Sequence, residues 1–98
     1  MTVADTMRGK LTERFAPTRL AIVDDSHRHA GHAGARPGGE THFSVTIVSA
    51  AFDGIGRIAR QRLVYAALAD ELAGGVHALA LTTLAPAEDR GQTVATID

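Results

Sequence analysis

The chain contains no cysteine among its 98 residues. This absence excludes disulfides, thiolate metal sites, cysteine nucleophiles and redox pairs built from this chain alone. Any metal chemistry must therefore use imidazole, carboxylate or ligands from another molecule. An excess of one charge is also missing, since 10 Lys and Arg stand against 11 Asp and Glu, for a formal net charge of −1. This balance argues against a protein that coats nucleic acid by bulk charge, but it leaves room for a local basic patch.

Long apolar runs are absent as well. The longest fall far short of the roughly 20 residues that span a bilayer, and Met1–Arg14 carries five charged residues instead of an apolar signal core. We therefore expect a cytoplasmic protein of a reducing compartment. A chain this short has little room for a deep cavity, and no Ser/His/Asp order or paired carboxylate stands out, so we do not expect an enzyme.

The apolar spacing predicts an α+β domain with the order α-β-β-α-β, both helices lying on one face of a three-stranded mixed sheet. The predicted helices span Thr2–Phe15 and about Arg57 to Leu72, and the predicted strands span Leu20–Val23, Thr41–Ser49 and Val76–Leu84. The second helix is predicted to bury one stripe, formed by Val64, Leu68 and Leu72 with Ile58 and Tyr65 on the same side. Pro86 is predicted to end a single domain of residues 1–86, followed by a flexible tail of residues 87–98.

The chain has five histidines, which are the candidate metal ligands in the absence of cysteine. Three of them lie in a Gly-rich segment, Ser26–Gly39, that has no large apolar residue to bury and should form an exposed loop. The third strand follows a helical crossover, so it can run parallel to the second strand and start at the same end of the sheet. His77 lies at that start. We therefore expect the loop histidines and His77 to meet at one sheet edge.

In this order and spacing, the sequence resembles the BolA family from about Leu11 to Glu88. The matching pieces are SHRHAGHAG (Ser26–Gly34), ETHFSVTIVS (Glu40–Ser49), FDG (Phe52–Gly54), R-x-R-L-V-Y (Arg60–Tyr65), LADEL (Leu68–Leu72) and VHALAL (Val76–Leu81). The resemblance implies a class-II-KH-like fold, in agreement with the element order read from the residues.

The resemblance also implies a function. BolA-like proteins pair with monothiol glutaredoxins, and the heterodimer can hold a [2Fe-2S] cluster in iron–sulfur trafficking or iron regulation. Thiolates of the glutaredoxin and of glutathione supply one side of the cluster. We expect no cofactor in the isolated chain, and we expect that chain to be a monomer or a weak homodimer. Some bacterial members are instead linked to DNA and to transcriptional control of stress responses and cell morphology, which is the alternative function here.

The resemblance assigns the metal ligands to His77 and to one histidine of the loop. We favour His32 as the loop ligand, with His29 second, and we expect His27 to form hydrogen bonds near the strand end. His42 lies on the polar face of the second strand; a packing or hydrogen-bonding role is its main interpretation, and a ligand role is the weaker alternative.

A basic set marks the start of the second predicted helix. Arg57, Arg60 and Arg62 are candidates for phosphate contacts on nucleic acid, and the opposing interpretation is a solvated face paired with Asp53, Asp70 or Glu71. Relatives often carry Arg-His-Arg where this chain has Arg60-Gln61-Arg62. The helical wheel places Gln61 on the inward face, and we give it no ligand role.

Overall fold

The computed structural model describes residues 2–24, 42–76 and 78–89. Its elements are α1 (Val3–Phe15), β1 (Arg19–Asp24), β2 (His42–Val48), a 3-10 turn (Ala50–Phe52), α2 (Arg57–Ala67), α3 (Ala69–Gly74), β3 (Ala78–Leu84) and a second 3-10 turn (Pro86–Glu88). The order agrees with the predicted α-β-β-α-β fold except that the second helix is split. Within the described ranges, no helix is long and apolar enough to cross a membrane.

Helix α1 begins at a capping box. The Asp5 backbone N–H donates to the Thr2 hydroxyl at 3.0 Å, and the Thr2 N–H donates to the Asp5 carboxylate at 3.2 Å, so backbone donors of the first turn are satisfied. The hydrogen bonds from the Thr2 backbone and hydroxyl hold the pKa of Asp5 below its usual range. The helix ends at Ala16, which adopts the left-handed conformation with φ 44°. The fully buried residues between these caps are Met7 and Leu11.

The sheet has the order β1-β2-β3. Strand β1 runs antiparallel to β2, with Arg19 opposite Val48 and Asp24 opposite Phe43. Strand β3 runs parallel to β2, as the sequence predicted, with His42 opposite Ala78. The predicted alternation of β2 is also confirmed, because its odd-numbered residues are buried and its even-numbered residues from 42 to 46 are half-buried.

One face of the sheet packs against the helices and forms the core. The buried residues of this core are Met7, Leu11, Phe15, Phe43, Val45, Ile47, Phe52, Val64, Leu68 and Val76. The other face presents mostly small side chains, which we call the open face. Its residues, taken from the strand alternation and register, are Ala21, Val23, His42, Ser44, Thr46, Ala78, Ala80 and Thr82.

The second predicted helix is interrupted at Leu68. This residue leaves helical geometry, with φ −107° and ψ 20°, and its side chain is fully buried. The buried stripe is also narrower than predicted, since Ile58 is 67% exposed and Tyr65 is 39% exposed. At 100° per residue, these two positions lie about a third of a turn from the line of Val64 and Leu68. The prediction that they share the inward face was therefore wrong.

The fold also continues past the predicted boundary at Pro86. Glu88 bonds the guanidinium of Arg60 at 2.6 Å, and both carboxylate oxygens of Asp89 accept from Arg19, at 2.8 and 3.0 Å. Residues 87–89 are therefore part of the domain, because charge-assisted hydrogen bonds tie them to α2 and β1. Residues 90–98, the rest of the predicted tail, lie outside the described part of the chain.

We expect Leu68→Ala to lower the free energy of unfolding by about 2–5 kcal/mol, because it removes a fully buried side chain and leaves a cavity. The matched control is Ile58→Ala on the exposed side of the same helical region, which should change it by no more than about 0.5 kcal/mol. Urea unfolding followed by circular dichroism measures both. Equal losses for the two variants would contradict the buried stripe described above.

Candidate functional site

The end of β1 and the starts of β2 and β3 lie together at one end of the sheet. Strand β1 finishes at Asp24, opposite Phe43 near the start of β2, and β3 starts at Ala78, opposite His42. We call this end, defined by Asp24, His42 and Ala78, the histidine edge. Parallel pairing is the reason that β2 and β3 both start here.

The segment 25–41 leaves β1 and enters β2 at the histidine edge. It contains His27, His29 and His32, and His77 directly precedes Ala78. These four histidines lie outside the described residues. The structure therefore fixes the strand ends that flank them, while their assignment as ligands stays a prediction.

His42 is the histidine that the described part of the chain contains. It is half-buried and belongs to the open face, next to Ala78 across the parallel ladder. Among the described residues, no group of three His, Asp or Glu side chains is arranged to hold a metal ion. A metal centre at this edge therefore needs the histidines of 25–41 and position 77, or donors from a second molecule.

The three arginines of the predicted basic set differ in exposure, since Arg60 is buried and Arg57 and Arg62 are exposed. Arg60 is only 8% exposed. Its Nε donates to the Ile55 carbonyl at 2.7 Å and its Nη1 donates to the Thr83 carbonyl at 3.2 Å. The guanidinium also lies 5.9 Å from the ring centroid of Phe52. Together with its ion pair to Glu88, these contacts occupy Arg60 in holding the fold, so it does not belong to an exposed basic surface.

Glu88 is thus the ion-pair partner of Arg60. Of the three acids named from the sequence, Asp53 acts on Arg60 through its charge but forms no ion pair with it among the described residues. The hydrogen bond of Glu88 with Arg60 and a second one from the Ala85 N–H hold the pKa of the Glu88 carboxyl below its usual range. The same hydrogen bond raises the pKa of Arg60. Asp70 and Glu71 instead face Lys10, whose Nζ lies 2.8 Å from Glu71.

Arg57 and Arg62 are exposed, and neither has an ion pair or a side-chain hydrogen bond among the described residues. The N-cap of helix α2 is Gly56, which offers no capping side chain, and the first turn of the helix has no acidic residue. The positive end of the helix dipole therefore adds to the charge of Arg57, whereas Arg62, the sixth residue of α2, lies beyond the first turn. Gln61, beside them, is half-buried, so its predicted inward position holds in part.

The start of α2, marked by Arg57, and the histidine edge lie at opposite ends of the sheet. Helix α2 follows the end of β2, whereas the histidine edge is formed by the start of β2. The start of α2 and the strand ends Asp24, His42 and Ala78 are therefore separated along the sheet.

The sequence pattern did not reveal Arg19, Glu88 and Asp89 as bonded residues. One signal was present, since Pro86 followed by Glu88 is typical of a helix start with proline at the first position and an acid at the third. The structure has this turn, in which the Ala85 N–H donates to Glu88 at 2.8 Å.

The chain thus folds into a three-stranded α+β domain in which β2 and β3 are parallel. Comparisons with known proteins identify its family. The family model for the BolA-like protein matches residues 11–88. The chain belongs to this family.

Individual relatives agree with this assignment. An uncharacterized protein of Sinorhizobium sp. is 45% identical over 89 residues, which are 90% of this chain and 96% of that protein. The chloroplastic protein BOLA1 of Arabidopsis thaliana is 47% identical over 87% of this chain, and the match spans only 54% of that protein. The solved BolA domain of SufE1 from Arabidopsis thaliana superposes with a TM-score of 0.77 at 44% identity, covering 86% of this chain and 92% of that one.

We expect Glu88→Gln to lower the free energy of unfolding at pH 7. A carboxyl whose pKa falls on folding stabilises the protein above its unfolded-state pKa, and this contribution is lost as the pH drops through the folded-state pKa. The difference between variant and parent should therefore shrink as the pH falls below about 4. Urea unfolding at several pH values measures it. Glu13→Gln, on the exposed side of α1, is the control; a loss of the same size there would contradict the assignment.

Proposed function

We propose that this chain is a non-enzymatic partner of a monothiol glutaredoxin and holds a [2Fe-2S] cluster jointly with it, in iron–sulfur trafficking or iron regulation. The observation that carries the proposal is the parallel register of β2 and β3. It brings the start of β3, directly after His77, to the sheet end that the histidine-containing segment 25–41 leaves and re-enters.

The donor chemistry fits an incomplete site. Iron–sulfur clusters prefer thiolates, but one iron accepts two histidines in Rieske centres. This chain offers imidazoles and no thiol, so the remaining ligands must come from another molecule, here the cysteine of the glutaredoxin and the thiol of glutathione. The residues that would hold the cluster are His77 and His32, with His29 as the second choice in the loop and His42 as the weaker alternative.

The properties of histidine also suit transfer rather than permanent storage. Neutral imidazole ligates while imidazolium does not, so ligation depends on pH near neutrality. Because this chain alone lacks a full ligand set, we expect the isolated protein to carry no cluster.

A match of this chain to SufE-like protein 1 of Arabidopsis thaliana spans 23% of that protein, so a BolA domain also occurs joined to a longer protein. We place the action of this chain in the cytoplasm on the strength of its sequence, although the BOLA1 relative is chloroplastic.

The test is reconstitution of the cluster with a monothiol glutaredoxin and glutathione, followed by visible absorption and circular dichroism. We expect His77→Ala to lose or shift the cluster spectrum, because it removes an iron ligand, and His32→Ala or His29→Ala to do the same for the loop ligand. His27→Ala is the matched control from the same loop and should leave the spectrum unchanged. An unaltered spectrum in His77→Ala would overturn its ligand role.

A second candidate function, DNA binding by a transcriptional regulator, rests on Arg57 and Arg62. Both are exposed and unpaired among the described side chains, and Arg57 lies at the positive end of α2. Phosphate is the ligand that such an end favours. The net charge of −1 ranks this function below the cluster partnership.

We expect the double variant Arg57→Ala/Arg62→Ala to weaken binding to a duplex DNA. The slope of log affinity against log salt should also fall by about 1 for each phosphate that the variant no longer neutralises. Fluorescence anisotropy measures both quantities. Arg8→Ala/Arg14→Ala on α1 is the control of equal charge change. Absence of binding by the parent protein at low salt, or equal effects of the two double variants, would count against this function.

A further inference from the structure

The outer edge of β3 has no strand partner within the described residues. Strand β3 pairs with β2 on one side, and the sheet ends there. Apart from the Thr83 carbonyl, which accepts from Arg60, the backbone groups on its other side have no partner among the described residues and can form hydrogen bonds beyond the sheet.

Two hydrogen bonds identify which groups point outward. The Ser49 N–H donates to the Leu84 carbonyl at 2.9 Å, so Leu84 points toward β2. The Thr83 carbonyl instead accepts from Arg60. Because successive residues of a strand point their backbone groups to opposite sides, the N–H and C=O groups of Leu79 and Leu81 point outward with that of Thr83.

This edge lacks the usual protection against further pairing. Strand β3 reads ALALTTL, with neither charge nor proline, whereas β1, the other edge strand, carries Arg19 and Asp24 at its ends. Charges and prolines are what natural proteins place on edges to block strand addition. Leu79 and Leu81 also remain half-buried, although they pack against the core.

We propose that this edge pairs with β3 of a second copy of the chain, antiparallel, with Ala80 on the two-fold axis. A strand without charges meets no like charge when it faces itself, which is the condition for a self-complementary interface. Leu79 of one copy then exchanges both backbone hydrogen bonds with Leu81 of the other.

The hydrogen bond from Arg60 favours the register centred on Ala80. Its guanidinium already donates to the Thr83 carbonyl. Pairing centred on Ala80 uses the groups of Leu79 and Leu81, which have no partner among the described residues, and leaves Thr83 out of the ladder. Ala80 then faces its own copy in a pair without mutual hydrogen bonds, where side chains come closest. Its small exposed side chain permits that approach.

The result is a continuous six-stranded sheet, since each copy contributes three strands. A short edge buries less than the roughly 800 Å² per partner of a stable complex. The dimer is therefore weak and depends on concentration. Antiparallel pairing sends the two histidine edges toward opposite ends of the joined sheet.

Sedimentation velocity of the full chain from about 10 µM to about 1 mM tests this proposal, because that range covers the affinities of small interfaces. We expect the parent to shift from monomer to dimer. Ala80→Lys and Ala80→Glu should each weaken association at least tenfold, since each places like charges opposite one another. An equimolar mixture of the two variants should dimerise again through Lys–Glu pairs.

Ala21→Lys and Ala21→Glu, on the same face of the other edge strand, are the matched controls and should dimerise like the parent. A parent that stays monomeric throughout overturns the proposal, as does a mixture of the Ala80 variants that fails to associate. Hydrogen exchange at the Leu81 amide tests whether residues 90–98 of the same chain, and not a second copy, pair with this edge. Protection at the lowest concentration that disappears when residues 90–98 are deleted would assign the edge to the chain's own terminus and also overturn it.

Discussion

Parallel pairing between β2 and β3 is the constraint on which the functional arrangement depends. Two parallel strands need a crossover connection, and here α2 and α3 form it. The crossover packs its apolar stripe on the sheet and returns the chain to the end where β2 began. The core and the histidine edge are therefore consequences of the same connection, since reversing β3 would move its start to the opposite end of the sheet.

Arg60 connects the parts of the domain at the other end. Its guanidinium contacts the loop before α2, the end of β3 and the turn at Glu88. A single side chain thereby joins the start of α2 to the end of β3 and to the turn after it, 23 and 28 positions away, and its donors match the carbonyls and carboxylate around it. The planar fork of arginine explains why lysine, with one compact ammonium, would not replace it.

Periodicity was sufficient to predict most of the fold. The alternation of β2, the helix over Val3–Phe15 and the parallel β3 all follow from apolar spacing and the crossover rule. Spacing predicted the burial of Leu68 but not the break in the helix at this residue. It also failed at Ile58, because a broad apolar stripe was assumed on a helix that buries a narrow one.

The candidate site could also be predicted only in part. The meeting of strand ends at the histidine edge could be predicted, because topology alone determines it. The role of Arg60 could not, since a basic residue at a helix start looks the same in sequence whether it faces solvent or a distant carboxylate. Its partner Glu88 lies 28 positions away, beyond the reach of any local pattern.

The composition of the open face limits how this domain can meet nucleic acid. Sheets that bind single strands use aromatic rings on which bases stack, but the open face of this domain carries alanine, valine, serine, threonine and histidine at its register positions. All three phenylalanines lie in the core on the opposite side. The open face therefore offers no aromatic ring for base stacking among the described residues, and the exposed aromatic side chain, Tyr65, lies on α2 instead.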